Sequence, residues 1–502
     1  MNSTVSSIHQ LNITVGRSKQ MALPAATSPA LHSPRAPSPA TDAETARELR
    51  ADYVKKLGKG LMNKESLRKK VGIVDEQVER ILADLEKHEW YHGFLPLEDI
   101  AGLLKQKGDF LIRALDPEDD KPPMACVTVK WDDISNHIVY FRASEERRLF
   151  TLDGVFRNTN IIDLVRFHMG SGTSIGKDVK LLRPIPKQKW ELTKNKLTLE
   201  QKIGKGEFGE VFSGKLCENP QKPPIKVAIK VIKLSENNKE EVEQMHKEAR
   251  LMRQYKHRNI VAFFGVVYSG NDSAMIVMEL IHGGALNSYL KKNQELSNEA
   301  KSSYASDVAY ALLYLHNKKC LHRDVACRNC LIDVQKQLVK LSDFGLSKQG
   351  DVYEVPKDEK TPVRWQAPEV FTTRQYTAKA DVYAYGITVW EIFHNAEIPY
   401  PGIENKIIRQ KIFDPEFRPA IDESVPTTWR ILMKACWKGD PEKRPPMLGI
   451  VGYLRRDKTK SDTVEKKERN DFNKKEVSAK EVRYIRLNEI TTWLFDQMHL
   501  RL

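Results

Sequence analysis

The chain has 502 residues, of which 40% are hydrophobic, and a formal net charge of +14. This length exceeds what one hydrophobic core supports, so several domains are expected. Six cysteines are too few for a disulfide-rich secreted protein, and no apolar run reaches the ~18 residues of a membrane span. The N-terminus lacks the pattern of a signal peptide, and we therefore expect a cytoplasmic protein.

The excess of basic residues is interpreted as solvated surface, with attraction to anionic lipid or nucleic acid as the alternative. Lys and Arg do not cluster beside stacking aromatic residues, as they would in a nucleic-acid reader. Peripheral association with a membrane therefore stays open, whereas nucleic acid is not an expected partner.

Two segments precede the first globular unit. Residues 1–40 are rich in Ser, Ala and Pro, and a segment of this composition buries too little apolar surface to offset its ordering entropy, which predicts disorder. Residues 41–89 are predicted to be a helical extension, because Thr41 to Glu44 has the form of a capping box. An apolar stripe at helical spacing follows, formed by Val78, Ile81, Leu82 and Leu85.

Residues 90–184 are predicted to form the first globular unit, an antiparallel sheet flanked by two helices. One helix is predicted from Pro96 to Leu104 and the other from Asn160 to Met169. The predicted strands between them are Phe110 to Arg113, Ala125 to Val129, His137 to Phe141 and Leu149 to Leu152.

Arg113 is anomalous because it ends an apolar strand. A guanidinium in such a place needs an anion, since burying it unpaired is very unfavourable. Two anions fit: a phosphate gripped by two parallel hydrogen bonds, or a structural carboxylate from the acidic stretch 116–120.

The unit resembles the Src-homology-2 (SH2) domain, which binds phosphotyrosine peptides. Trp90-Tyr91-His92-Gly93, the run that ends at Arg113, and His137 carry the resemblance. It implies that Arg113 contacts the phosphate and that His137 lines the pocket.

The chain departs from the SH2 pattern around this pocket. Leu97 replaces the usual arginine of the first helix, and Ala114 and Leu115 replace the acid and the serine that follow the phosphate-binding arginine. The next loop, residues 116–120, carries carboxylates that repel a phosphate.

After a proline-containing linker, residues 185–196, the unit 197–456 opens with a glycine-rich hairpin. Its glycines are Gly204, Gly206 and Gly209, flanked by Ile203 and Val211. A lone G-x-G-x-x-G also occurs in dinucleotide-binding turns, but here strand residues follow instead of a helix. We therefore predict a hairpin whose backbone N–H groups approach phosphates.

An apolar strand, Val227 to Lys230, carries a lysine that needs a partner when buried. Glu248, on a helix predicted from Asn237 to Lys256, supplies that partner and leaves the ammonium beside the nucleotide phosphates. The alternative is an exposed lysine at the end of a strand. A second apolar strand leads into a segment that resembles a hinge between two lobes. Met278 would be the gatekeeper, and backbone groups of Glu279 and Ile281 would bind adenine.

A dense polar stretch, His322 to Leu331, lies between apolar segments and predicts phosphoryl transfer. Asp324 would accept the proton of the attacking hydroxyl. Asn329 and Asp343 would hold Mg²⁺, which neutralises the anionic transition state.

In their order along the chain, these motifs resemble the eukaryotic protein kinases, over all of residues 197–456. The resemblance implies a bilobal kinase fold, ATP and Mg²⁺ as cofactors, and an ion pair between Arg444 and Glu369. Ala326 and Arg328 after the catalytic acid, and the platform from Pro362 to Trp365, are typical of tyrosine kinases.

The segment between the metal-binding and platform motifs contains Tyr353 as its only tyrosine. Phosphate there would pair with Arg323, beside Asp324, and order the segment. We therefore predict that Tyr353 is an autophosphorylation switch.

The fold class expected is multidomain α+β, an SH2-like unit followed by a kinase. This order most resembles the Fes/Fer group of non-receptor tyrosine kinases. Only about 89 residues precede Trp90, so the membrane-bending domain of that group is not expected. Residues 457–502 form a charged segment with a predicted helix from Ser478 onward. A catalytically silent scaffold, or an SH2-based binding module, is the alternative function.

Overall fold

The computed structural model describes residues 80–115, 124–138, 140–143, 148–176, 178–206, 209–233, 239–269, 273–359 and 361–456. The predictions of a disordered segment over residues 1–40, of the capping box and of a C-terminal helix lie outside the described residues. The same is true of the acidic loop after Leu115.

An antiparallel sheet forms the centre of the first unit. Three strands lie side by side in the order β3-β2-β1, and a short parallel strand, β6, extends the sheet at β1. The strands are β1 (Asp109–Leu115), β2 (Met124–Lys130), β3 (Ile134–Ile138) and β6 (Arg183–Pro184), and β4 (Tyr140–Ala143) and β5 (Arg148–Thr151) form a separate ribbon. The single strand predicted from His137 to Phe141 is thus split between β3 and β4.

Two helices cover the faces of this sheet. Helix α2 (Ile161–Ser171) begins where Asn160 accepts hydrogen bonds from two backbone N–H groups of its first turn, and it packs with Phe110 and Ile112. Side chains alternate along a strand, so Leu111 faces the other way, towards the core formed with helix α1 (Leu97–Leu103).

The second unit begins with a five-stranded sheet in the order β10-β11-β9-β8-β7. Helix α3 (Lys239–Met252) packs beside it through buried Met245, Ala249 and Met252. The strands are β7 (Leu197–Gly206), β8 (Gly209–Leu216), β9 (Ile225–Lys233), β10 (Phe263–Ser269) and β11 (Ser273–Glu279).

The remainder of the second unit is mainly helical. Helix α5 begins at Asn298, before the predicted Ser303, because the Ser297 side chain caps it. Helix α7 is buried along almost its whole length. The helices are α4 (Leu286–Lys292), α5 (Asn298–Asn317), α6 (Pro368–Thr373), α7 (Ala378–Phe393), α8 (Asn405–Lys411) and α9 (Thr427–Cys436).

Short strand pairs fix the loops between these helices. Three antiparallel pairs form between segments that lie between helices α5 and α7 in the chain. They are β12 (Cys320–Leu321) with β15 (Lys348–Gln349), β13 (Cys330–Asp333) with β14 (Leu338–Leu341), and β16 (Val352–Glu354) with β17 (Gln375–Thr377). None of the described helices combines the length and apolarity that a bilayer span requires.

Candidate active site

Lys230 lies inside β9 and is only 5% exposed. Its Nζ donates to Glu248 Oε2 of helix α3 at 2.7 Å and lies 3.9 Å from Asp343 Oδ1. Burial raises the pKa of the Glu248 carboxyl, an effect that the Lys230 ammonium opposes. The predicted lysine–glutamate pair is present, and the alternative of an exposed lysine is wrong.

The glycine-rich hairpin joins β7 to β8. Gly204 pairs with Val211 and Gly206 with Gly209. Gly209 has φ of +149°, and a Cβ atom there would lie 2.5 Å from a backbone oxygen of β9, so no larger residue fits. Ile203 stands beside this hairpin with 51% of its surface exposed. Residues 207–208, at the tip, lie outside the described part.

Partly buried Met278 lies near the end of β11, directly before the hinge. The Glu279 N–H donates to the Ala262 carbonyl at 2.8 Å. Both carboxylate oxygens of Glu279 lie within 2.9 Å of Lys340 Nζ. The Glu279 side chain is therefore tied to β14. Ile281 is buried at the start of the following turn.

Asp324 is fixed by two neighbours in the same loop. Asn329 Nδ2 donates to the Asp324 carbonyl at 2.7 Å and to its Oδ2 at 2.6 Å. Arg328 Nη2 donates to the other carboxylate oxygen. The carboxylate is thus held in one orientation, as a positioned proton acceptor requires.

A second carboxylate, Glu391 in helix α7, links this loop to the predicted tyrosine platform. Its Oε2 accepts from Trp365 Nε1 at 2.8 Å and from the Cys327 N–H at 3.0 Å. The Arg328 guanidinium stacks 4.3 Å over the Trp365 ring. Burial raises the pKa of Glu391 to about 7. Sequence reasoning missed Glu391, which is one of the two acids of helix α7, because an acid in a helix by itself carries no signal of such a contact.

The backbone before Asp324 is anchored by buried Asp381. Its carboxylate accepts the N–H groups of His322 and Arg323, each at 2.9 Å. Burial alone would raise the pKa of Asp381, but hydrogen bonds from His316 and the Arg323 N–H hold it below its usual value.

The predicted pair of Arg444 and Glu369 is present as a bidentate contact, with both N–O distances at 2.7 Å. Arg444 is fully buried, and the pair joins the region after the platform to the end of the second unit.

Asn329 and Asp343 provide oxygen ligands of the kind that Mg²⁺ prefers. Asn329 directs its Nδ2 at Asp324, so its amide oxygen points elsewhere. Asp343 has φ of +61°, and its side chain is 41% exposed. Among the described residues no three His, Cys, Asp or Glu side chains form a closed cage.

Tyr353 lies in β16, above Arg323. The Arg323 guanidinium is 4.1 Å from the centre of the Tyr353 ring, so the structure brings the two predicted regulatory residues together. Glu359, which sequence reasoning missed, contacts both: it accepts from Arg323 Nη2, and from the Tyr353 hydroxyl at 2.7 Å.

In the first unit, Arg113 is 7% exposed and meets only neutral acceptors among the described residues. Its Nε donates to Thr128 Oγ1 at 3.1 Å, and its Nη groups approach the Leu95 carbonyl at 3.4 Å and Asn136 Oδ1 at 3.3 Å. The structural carboxylate weighed for Arg113 lies on a loop outside the described residues.

The prediction that His137 shares this pocket is wrong in the structure. Strand β2 pairs Val127 with His137 and Thr128 with Asn136. Side chains alternate across a sheet, so Asn136 stands beside Arg113 while His137 points to the other face. Burial there lowers the pKa of the His137 imidazole.

Helix α1 also contacts helix α3, which carries Glu248. Asp99 of α1, its side chain fully buried, lies 3.0 Å from Arg250 Nε and 3.2 Å from Arg253 Nη2. It also accepts from the Tyr268 hydroxyl at 3.2 Å. Sequence reasoning missed Asp99, and an acid in the first turn of a helix carries no signal of such a contact.

Residues 197–454 match the family described as protein tyrosine and serine/threonine kinase. The chain is 34% identical over 375 residues to Fer-related kinase 1 of Caenorhabditis elegans, covering 74% of this chain and 94% of that protein. It is 36% identical over 368 residues to tyrosine-protein kinase Fer of Rattus norvegicus, covering 72% of this chain and 43% of that protein. The transforming protein Fps of avian sarcoma virus (strain PRCII) is 34% identical over 361 residues, 71% of this chain and 65% of Fps.

Proposed function

The chain belongs to the protein tyrosine and serine/threonine kinase family, on its Fer-like branch, and we propose that its site transfers the γ-phosphoryl group of ATP to tyrosine hydroxyls of other proteins. The observation that carries this proposal is the Asp324 carboxylate, held by Asn329 and Arg328 beside the Trp365 platform. Such a reaction serves intracellular signalling, which fits a cytoplasmic location.

ATP would lie between the glycine-rich hairpin and the hinge. Backbone groups of Glu279 and Ile281 would pair with adenine, and Lys230 would contact the α and β phosphates. Mg²⁺, held by Asn329 and Asp343, supplies positive charge to the transferring phosphoryl group when bound.

Asp324 would orient the acceptor hydroxyl and take its proton. Arg328 fixes one oxygen of that carboxylate and also lies on Trp365, so the base and the acceptor platform keep a constant separation. This positioning is the main contribution a kinase makes, because phosphoryl transfer needs little covalent chemistry from the protein.

Asp324→Asn tests the activity. With Mg-ATP and a Glu/Tyr copolymer, the wild-type protein should incorporate phosphate on tyrosine, and the variant should lose at least ~100-fold, the scale of general-base catalysis. Glu354→Gln, which changes an exposed carboxylate at the end of strand β16, is the control. A wild-type protein without turnover would favour the silent scaffold.

Tyr353 is proposed as an autophosphorylation switch, because it lies directly over the Arg323 guanidinium. Tyr353→Phe, preincubated with ATP, should be less active than wild type treated identically. Equal initial rates for Tyr353→Phe and wild type would mean that Tyr353 is not an autophosphorylation switch.

A second proposed function belongs to the first unit, as an SH2 domain that binds phosphotyrosine proteins. Arg113 supports it: a buried guanidinium whose described partners are all neutral has charge to offer an anion.

Titration with a phosphotyrosine peptide measures this binding. Arg113→Ala should weaken it by about 10–100-fold, since each charge-assisted hydrogen bond contributes about 1.5–3 kcal/mol. Arg183→Ala, a half-exposed arginine of the same unit, is the matched control. Superimposable curves for Arg113→Ala and wild type would exclude phosphate recognition through Arg113.

A further inference from the structure

Glu359 occupies the position at which a phosphate on Tyr353 would act. One of its carboxylate oxygens accepts from Arg323 Nη2, and the other accepts from the Tyr353 hydroxyl at 2.7 Å. The two side chains that a phosphorylation switch would join are therefore already bridged by one anion.

Arg323 needs such an anion. Its side chain is 2% exposed and sits directly before the catalytic Asp324. Its only other guanidinium hydrogen bond that we observe in the described part of the chain is from Nη1 to the Leu346 carbonyl, at 3.0 Å. Its Nε has no hydrogen-bond partner there. Without Glu359 the guanidinium would be a buried charge with neutral contacts, a strongly unfavourable state.

The surrounding segment is ordered around this contact. Strand β16 pairs Tyr353 with Tyr376 of β17, and the Val355 N–H donates to the Arg374 carbonyl at 2.7 Å. The Tyr353 hydroxyl remains protonated, because burial and the bond to Glu359 raise its pKa to about 12, and it can therefore donate.

We propose that Glu359 is the internal counter-anion of Arg323, which holds the segment around Tyr353 in its active arrangement before phosphorylation, and that phosphate on Tyr353 replaces this carboxylate. Phosphorylation then replaces a singly charged anchor with a more highly charged and stronger one, instead of creating the anchor. The inference rests on the proposed kinase activity and deepens it by naming how the same site is regulated.

The exchange follows from charge. In autophosphorylation the Tyr353 oxygen bonds to the γ-phosphorus, the bond from that phosphorus to the bridging oxygen breaks, ADP leaves and the hydroxyl proton passes to the catalytic base. The hydroxyl that donated to Glu359 is then lost, and a phosphate of charge about −1.5 to −2 stands beside a carboxylate. Repulsion moves Glu359 away. Arg323 and Lys348, whose Nζ lies 5.2 Å from the Tyr353 ring, are the cations that the phosphate reaches.

The test compares four full-length proteins: wild type, Glu359→Gln, Tyr353→Phe and the double variant. Each is dephosphorylated with a phosphatase, and initial rates on a Glu/Tyr copolymer are measured before and after incubation with Mg-ATP. Occupancy of Tyr353 is followed by mass spectrometry.

Before incubation, Glu359→Gln should be about 5–10-fold slower than wild type, while Tyr353→Phe stays within about threefold, because the Arg323–Glu359 pair survives there. After phosphorylation, Glu359→Gln should return to within about twofold of wild type, and the double variant should not recover. Glu354→Gln removes an exposed carboxylate from the same segment and should match wild type throughout.

Three results would overturn the proposal: equal rates for dephosphorylated Glu359→Gln and wild type, a deficit that phosphate on Tyr353 does not restore, or absence of phosphate at Tyr353 in every protein. A readout without turnover separates this failure from failure of the kinase activity. Trypsin should cut after exposed Lys357 at least threefold faster in dephosphorylated Glu359→Gln than in wild type, and equal cutting rates would contradict the proposal even in an inactive protein.

Discussion

The two globular units treat their buried cations differently. In the kinase unit, Lys230, Arg323 and Arg444 each meet a carboxylate. In the first unit, Arg113 is buried to a similar degree but meets a hydroxyl, an amide oxygen and a backbone carbonyl among the described residues. Within the described residues, the kinase unit therefore contains its own counter-charges, whereas Arg113 meets only neutral acceptors.

This difference has an energetic meaning. A buried ion pair adds little net stability, but removing one partner leaves an uncompensated charge and is unfavourable by about 3–5 kcal/mol. Changes at the kinase pairs should therefore have large effects on activity. Substitutions around Arg113 should have small effects in the protein without a bound anion.

The largest effect is expected for Glu248→Gln. The amide keeps the shape of the side chain but leaves Lys230 without its closest anion, so the ammonium is free to shift towards Asp343, 3.9 Å away. We expect kcat to fall at least ~100-fold, which corresponds to about 3 kcal/mol. Steady-state kinetics with varied ATP measure it.

Glu243→Gln is the matched control on the same helix. Glu243 is exposed and forms an ion pair with Lys247 on the helix surface, so its loss should change kcat by less than twofold. If Glu248→Gln kept more than half of the wild-type kcat, the closed pair would not be a requirement of catalysis.

An intermediate effect is expected at the contact between the two units. Asp99→Asn removes the only carboxylate charge that we find buried between Arg250 and Arg253 in the described residues, and the two guanidinium groups then face each other. Because helix α3 carries Glu248 and Arg250, and Arg253 directly follows its last residue, we expect kcat to fall about 3–10-fold, or about 0.7–1.4 kcal/mol.

Glu98→Gln distinguishes loss of the buried Asp99 contact from loss of any negative charge near the two arginines. Glu98 is 66% exposed and accepts from Arg250 Nη2 at 3.3 Å in a solvent-exposed ion pair, so near-normal activity is expected. Equal losses for both variants would mean that the first unit acts on α3 through charge in general and not through the buried carboxylate.

The kinase site was predictable because its residues have few other reasons to occur. A lysine inside an apolar strand, an acid and an amide in one polar loop, and glycines in a hairpin each demand a chemical explanation. Their order along the chain then identifies a single reaction. In the structure, Lys230 donates to Glu248, and Asn329 donates to Asp324.

The partners contributed by tertiary packing were not predictable. Glu359, Glu391 and Asp99 are ordinary acids in sequence, and only the fold brings them to Arg323, Trp365 and Arg250. The finding that Asn136, and not the predicted His137, lies beside Arg113 has another cause. Strand β3 alternates weakly between polar and apolar residues, so its pattern does not specify the register, and a shift by one residue reverses every side chain.

The smallest effect is expected for Thr128→Val, which tests the neutral contacts of Arg113 in the first unit. Thr128 Oγ1 accepts from Arg113 Nε and donates to Asn136 at 2.7 Å. Valine keeps the shape and removes both bonds, so the first unit should lose about 1 kcal/mol, seen by calorimetry of the full chain as a lower melting temperature by roughly 4–8 °C. Ser135→Ala, on the neighbouring strand and facing His137, should lower the melting temperature less.

The same variant separates two roles of Thr128 in peptide binding. If a bound phosphate takes over the hydrogen bonds that Arg113 makes in the free protein, the Kd for a phosphotyrosine peptide should stay within about threefold of wild type in Thr128→Val, because the anion replaces the lost acceptor. A large loss of affinity would instead mean that Thr128 orients the guanidinium, and that the first unit holds its arginine as firmly as the kinase unit holds its own.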